Sequence, residues 1–549
     1  MRRWPSPIAR FLLVSLVCLS ASPAAAQDVA RMEQVVQSYT AARQFMGSVL
    51  VATGDKVVFS KGFGSANLEW DLPDTPTTKF RIGSVTKQFT AASILLLEER
   101  GRLSVTDPVK KHLPNAPAAW DAITIAHLLS HTAGVPNYTS FPEFQTNMAR
   151  TLSTEQLVAT FRDKPLEFVP GRDWKYSNSG YVLLGLLIEK TTGDSYAQFV
   201  RTNIFTPLGM TDSGYDSHFD VIARRAAGYA PGPAGLVNAP YVDMSLPHAA
   251  GALYSTTEDL LKWQQALFGG KLLSAASLAK MTTPVRSNYG YGITIAETGG
   301  RKVISHNGGI NGFNSVLAHY PGTQTTVIVL SNVNGQAAEA IATRLAALSH
   351  GEAVSLPSEV KETTVSSAAL ADYVGTYSLE TGGATMLIRL EKEQLTAQIA
   401  GQPRLPLFAE SGSRFFLKVV DAQIDFSRDD KGVVSHLVLH QGGRDMKAVR
   451  TAATVPADRV GVAVPPEALP RLAGTYELRP GFDLTITVEN NTVMGQATGQ
   501  PKFPLAAESP TKFFIDAASI AIEFVSDDKG VVTHIVFQQG PATINARRK

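Results

Sequence analysis

Only one cysteine, Cys18, occurs in the 549 residues. It sits in an N-terminal stretch laid out like an export signal. Arg2, Arg3 and Arg10 precede or flank an apolar run at residues 11–19, and Ala24-Ala25-Ala26 stands before Gln27 as an A-x-A cleavage site. Cleavage after Ala26 would leave a chain with no disulfide, no thiol nucleophile and no thiolate metal site. Long hydrophobic runs are also missing. The leader's run falls short of the roughly 20 apolar residues a transmembrane helix needs, and no later segment reaches that length. An excess of charge of one sign is absent too. Without the three leader arginines the chain carries 47 basic and 48 acidic residues, a net charge of −1. That excludes a basic stripe for nucleic acid and a polybasic membrane anchor. The eleven histidines show no H-E-x-x-H or similar ligand spacing, so neither a metal nor another cofactor is expected. The expected protein is periplasmic or secreted. It has no integral membrane segment after cleavage, and its partner is a small-molecule or peptide substrate.

What the chain does have is a repeat in its last third. Gly375-Thr376-Tyr377 recurs as Gly474-Thr475-Tyr476, and Phe415-Phe416 as Phe513-Phe514. Asp429-Asp430-Lys431-Gly432-Val433-Val434 recurs unchanged from Asp527 to Val532, at an offset of 98 or 99 residues throughout. A fixed offset over a whole unit marks a duplicated domain. Each copy has β-rich runs, such as 386–390 and 484–488, turned by Asp-Lys-Gly, and no helical period. Two small antiparallel barrels are expected. The boundaries read as a signal peptide at 1–26, a main domain at 27–350, linkers at 351–366 and 451–466, and repeats at 367–450 and 467–549.

Within the main domain, strand-like alternation occurs at both ends, at 48–59 and 291–320, with a buried-strand run at 325–330. Helical patterns at 84–100, 181–191 and 258–268 lie between. This order implies an α+β fold whose one sheet is completed by both ends of the domain.

Three short patterns carry chemistry: Ser84-Val-Thr-Lys87, Tyr176-Ser-Asn178 and His306-Asn307-Gly308-Gly309. Together they supply a hydroxyl nucleophile, two groups able to move its proton, an amide to hold a substrate and a Gly-rich strand edge. S-x-x-K occurs five times, at Ser84, Ser277, Ser358, Ser509 and Ser526. Ser84 stands out because Phe80-Arg81-Ile82-Gly83 leads into an amphipathic stretch with Phe89, Ala92, Leu96 and Leu97 inward. The hydroxyl is therefore expected at a helix N-terminus with Lys87 one turn on. Lys87 acts as a base only if burial lowers its pKa, and if it stays charged it serves Tyr176 instead. The sequence leaves both routes open.

The order of these patterns and their flanks, including Pro207-Leu208-Gly209-Met210 and 126–134, resembles the penicillin-recognising serine hydrolases. These comprise class C β-lactamases, DD-peptidase relatives, and the related esterases and D-aminopeptidases. The resemblance implies a β-lactamase/transpeptidase-like antiparallel sheet flanked by helices, with an inserted helical subdomain, followed by lipocalin-like β-barrels. It implies an acyl-enzyme mechanism with Ser84, Lys87 and Tyr176 as catalytic residues. Asn178, His306, Gly308 and Gly309 would bind substrate, and the oxyanion would be held by the backbone N–H groups of Ser84 and Gly309. His127, His131 and Gly134 would be scaffold. This chain carries His306 where the lactamases have Lys-Thr-Gly. The expected substrate is thus a small ester or a D-amino-acid peptide or amide. A β-lactamase or DD-carboxypeptidase, or a slow-turnover binder of β-lactams or cell-wall peptide, is the alternative.

Overall fold

The computed structural model describes residues 23–549 apart from 233–234, 357–358, 360, 381–383, 400–401, 419–421, 442–443, 458–460, 480–481, 499–501, 516–519 and 540–541. Residues 1–22 of the expected signal peptide thus lie outside the described residues. The chain divides into two compact units, Met1–Leu356 and Pro357–Lys549.

The first unit is built on six strands: β1 (Gly47–Thr53), β2 (Lys56–Phe63), β3 (Thr294–Thr298), β4 (Arg301–Ile310), β5 (Phe313–Tyr320) and β6 (Thr325–Ser331). Their order is β3-β4-β5-β6-β1-β2, all antiparallel, and β1 pairs with β6 from Gly47↔Ser331 to Thr53↔Thr325. Both ends of the unit therefore complete one sheet. The strands read as unbroken apolar runs because both faces are covered. Val49 and Val51 of β1, with Val327 and Val329 of β6, pack on α1 (Pro23–Ala41) and on a helix near the unit's end, Ala337–Ser349. Leu50, Ala52, Ile328 and Leu330 face the opposite way, into the large helical core.

That core holds α2 (Thr86–Glu99) and α3 (Asn178–Thr192). The sequence reading makes α2 amphipathic, but every residue from Thr86 to Leu97 is buried. A helix through the middle of a core has no solvent face, so its polar residues must find partners inside.

The second unit contains two closed eight-stranded barrels whose strands pair in chain order. Inward residues fill each one, among them Tyr377, Ile388, Leu395, Phe415, Ile424 and Leu437 in the first. Leu370 and Tyr373, on and just after a short helix at Ser367–Ala371 that the β-rich pattern does not announce, join this core. The duplicated Gly-Thr-Tyr now has a physical reason. A Cβ on Gly375 would come within 2.7 Å of Arg450 Nε, and one on Gly474 within 2.6 Å of Arg548 Nε. Each arginine lies over its glycine and donates to two carbonyls, those of Val374 and Val434 for Arg450 and of Ala473 and Val532 for Arg548. Each tyrosine hydroxyl donates to the carbonyl four residues back, Tyr373 or Leu472, at 2.8 Å.

Candidate active site

Ser84 lies in a 3-10 turn, Gly83–Val85, that runs straight into α2. It therefore sits just before the helix and not in its first turn. The turn is pressed against β4. Gly83 has φ +49°, and a Cβ there would stand 2.9 Å from Gly309 N, so glycine is needed for both conformation and space. Gly308 plays the same part from the strand side, since a Cβ on it would meet Ile82 O at 2.0 Å. The sequence reading gives Gly308 to the substrate, but its bare backbone makes room for the Ser84 turn. Gly309 is exposed, and its Cβ position is open apart from Asn314 Nδ2 at 3.6 Å.

Two groups converge on Ser84 Oγ: the Tyr176 hydroxyl at 2.8 Å and Lys87 Nζ at 3.0 Å. Lys87 is fully buried and also donates to Asn178 Oδ1 and to the backbone oxygen of Ala250, both at 2.8 Å. None of these partners is a carboxylate. Burial holds the amine well below the usual lysine pKa, and burial raises the Tyr176 phenol above its usual value. Desolvation thus pushes both neighbours of the serine toward their neutral forms. A neutral amine has two N–H groups and one lone pair. Asn178 Oδ1 and Ala250 O can only accept, so they take the two N–H groups and the lone pair is left for the Ser84 hydroxyl.

Asn178 opens α3, where the Ser177 hydroxyl accepts from Gly180 N. Its backbone N–H donates to Asn137 Oδ1 at 3.1 Å and its Nδ2 to Thr139 Oγ1 at 3.2 Å. The loop holding it carries Gly134, with φ +75°, and a Cβ there would strike Phe168 O at 2.3 Å. His127 caps the helix Ile125–Leu129, accepting at Nδ1 from Thr124 N.

His306 departs from expectation. It is 6% exposed, its Nδ1–H donates to Asn307 O at 2.7 Å, and its Nε2 accepts from the Tyr289 hydroxyl at 2.9 Å. Burial pushes its pKa down to about 3, and a proton on Lys87 pushes it the same way. With both ring nitrogens used inside the protein, His306 is a neutral strut and presents no group to a substrate. Sequence reasoning misses Tyr289 and the Ala250 carbonyl. The first is a tyrosine outside any motif, in the Tyr289-Gly290-Tyr291 stretch, and the second is a backbone atom without a side-chain signature.

A family model described as beta-lactamase matches residues 32–352, more than half of the chain. The protein belongs to this family. A second model, a domain of unknown function (DUF3471), matches twice, at 359–450 and 458–547. Penicillin-binding protein 4* of Bacillus subtilis is 32% identical over 434 residues, covering 74% of this chain and 95% of its own. Among solved structures, an octameric penicillin-binding protein homologue from Pyrococcus abyssi matches with TM-score 0.56 and 28% identity. It covers 77% of this chain and 100% of its own. The D-amino acid amidase of Ochrobactrum anthropi SV3, complexed with D-phenylalanine, matches with TM-score 0.51 and 27% identity, covering 56% of this chain and 92% of its own. Membership of this family makes the protein a serine hydrolase with a β-lactamase-like catalytic fold.

Proposed function

We propose that the protein is an exported serine hydrolase that forms an acyl-enzyme on Ser84 from a small ester or a D-amino-acid peptide or amide. The catalytic domain starts at residue 27 and its core runs past the expected end at 350 to Leu356, with 367–450 and 467–549 as separate barrel domains and 1–26 as a cleaved signal. Among the described residues, no helix is long and apolar enough to cross a membrane. The observation that carries the reading is Ser84 Oγ held between Tyr176 and a buried Lys87 that has no acidic partner among the described residues.

In this mechanism Lys87 takes the hydroxyl proton as Ser84 Oγ attacks the carbonyl carbon, with Tyr176 hydrogen-bonded to the same oxygen. The Ser84 and Gly309 N–H groups face the developing oxyanion, and losing one such donor typically costs about 2.7 to 4 kcal/mol of barrier. The proton then passes from Lys87 by way of the Tyr176 hydroxyl to the leaving group. Water releases the acyl group by the reverse route. Asn178 keeps one Nδ2–H for the acyl-side amide.

The neutral His306 and the likeness to a D-amino acid amidase favour uncharged esters and amides. The relatives named penicillin-binding proteins support a second reading, a β-lactamase, a DD-carboxypeptidase or a slow binder of the same compounds. A fluorophosphonate should label the wild type and not Ser84→Ala. Label persisting at full stoichiometry on Ser84→Ala removes Ser84 from the mechanism. Turnover of p-nitrophenyl esters, D- and L-amino-acid anilides and a chromogenic cephalosporin then ranks the substrates, with esters or D-amides expected ahead in kcat/KM.

A further inference from the structure

The residues on either side of Tyr176 both donate to a single residue. Lys175 N–H donates to the backbone oxygen of His131 at 3.0 Å, and Ser177 N–H donates to its Nδ1 at 3.2 Å. The Tyr176 peptide is therefore gripped from both sides, and the two rings are in contact with centroids 4.4 Å apart. His131 is 2% exposed and adopts φ +60°, a left-handed conformation unusual for a residue with a side chain. That turn aims its carbonyl and its ring at the same strand of chain.

A residue present only to fill space would not have this chemistry. Nε2 of His131 is buried and has no hydrogen-bond partner among the described residues. Because Nδ1 accepts from an amide, the proton must sit on Nε2, where the rings of Tyr181 and Tyr289 also surround the imidazole, 5.1 and 4.7 Å away. A leucine or phenylalanine would fill the volume without an orphaned N–H. What only an acceptor can do here is hold the amide next to Tyr176.

We infer that His131 is a positioning residue that sets the Tyr176 hydroxyl on Ser84 Oγ by clamping the chain at Lys175 and Ser177. The inference rests on the proposed roles of Ser84 and Tyr176. It goes beyond them by assigning the Tyr176–Ser84 distance to a residue that touches neither Ser84 nor substrate.

The test is a cycle of variants read by the rate of acylation, from the burst of p-nitrophenol or the rate of fluorophosphonate labelling. His131→Leu removes the acceptor and should slow acylation about a hundredfold, the usual effect of misplacing a catalytic group by about 1 Å. KM should change far less. His131→Asn keeps an acceptor near the Nδ1 position and tolerates φ > 0, so it should recover most of the rate. In a Tyr176→Phe background, His131→Leu should add almost nothing, because the hydroxyl it positions is already gone. A merely structural role predicts equal losses in both backgrounds and overturns the inference. So does a His131→Asn chain as slow as His131→Leu. Should the Leu chain fail to fold, histidine nitrogen NMR of the wild type decides, since an Nδ1 bearing the proton at neutral pH cannot accept from Ser177. Wild type that is labelled on Ser84 while the His131 cycle is flat defeats the clamp alone. Wild type that is not labelled on Ser84 defeats the proposed reaction.

Discussion

Tyr289 donates its hydroxyl proton to Nε2 of His306 across 2.9 Å, and so fixes that ring as the neutral Nδ1–H tautomer. The consequence is electrostatic. The strand position beside the Ser84 turn, where lactamases of the family place a lysine by resemblance, holds an uncharged group in this protein.

The pH–rate profile should reflect this. With its pKa pushed down to about 3, His306 stays neutral through the range in which an ordinary histidine titrates, and so contributes no inflection between about pH 5 and 8. In the proposed mechanism the acid limb of kcat/KM belongs to Lys87, which accepts a proton only when neutral. Activity should therefore rise with pH through the lowered Lys87 pKa. His306→Gln should leave the midpoint of that limb in place, whereas a shift of a full unit would show that His306 titrates in the working range. His306→Lys would bury a second amine near Lys87. It should cost stability and activity, and should not confer cephalosporin turnover.

Lys87 also makes a prediction for stability. Its native pKa is depressed, so below the unfolded value of about 10.4 the unfolded chain binds a proton that the native state refuses. The stability it contributes is fully present above that value and is lost as pH falls, by up to about 1.4 kcal/mol per unit, until the native pKa is reached. Lys87→Met lacks this dependence. The stability of Lys87→Met relative to wild type should grow as pH falls from 10 and then level off, with the plateau marking the native pKa. A difference that stays flat over pH 6–10 would mean Lys87 is charged in the native state.

These predictions draw on features that differ in how far the sequence announces them. That Lys87 and Tyr176 meet at Ser84, with Asn178 on Lys87, is legible because the motifs' residue types and their order already group these side chains. The sheet is legible because Val and Leu alternate between two buried faces in β1 and β6. The burial of α2 from Thr86 to Leu97 is not, since Lys87 and Gln88 read as a polar side until their partners Asn178, Ala250 and Trp263 arrive from distant segments. Nor is the internal use of His306, which depends on a tyrosine 17 residues away. The barrels show the opposite case. Arg450 and Arg548 recur at the repeat's own offset, yet the need for Gly375 and Gly474 beneath them is visible only in space.

Gly375→Ala should therefore be costly although Gly375 lies in a strand, where alanine ordinarily fits. Its Cβ would push against Ala452 O at 2.6 Å and Arg450 Nε at 2.7 Å. Forced overpacking of this kind typically costs 1–3 kcal/mol, about the range expected here. Gly412→Ala, which meets nothing within 4 Å, is the control and should be near neutral. Chemical denaturation of the full chain reads both. Equal stability of the two variants would mean Arg450 can swing away without loss.

The end of the catalytic unit sets the last prediction. The sequence places the domain's end at 350, but its packing continues beyond that point. Leu356 is buried in the core formed by the sheet with α1 and the helix Ala337–Ser349. Arg31 on α1 donates to Val354 O through Nε at 3.1 Å and Nη2 at 2.6 Å. Removing this strap loses the burial of Leu356, about 1.5–3 kcal/mol, and takes the Val354 acceptor from the Arg31 guanidinium, about another 1.5 kcal/mol. A chain ending at Leu356 should fold, label with fluorophosphonate at full stoichiometry and unfold like the intact catalytic unit. A chain ending at Ser349 should keep every proposed catalytic residue yet be less stable by about 3–4.5 kcal/mol. Equal melting of the two truncations would show that the strap adds nothing. Loss of labelling in the longer one would show that the acylation chemistry needs the barrels.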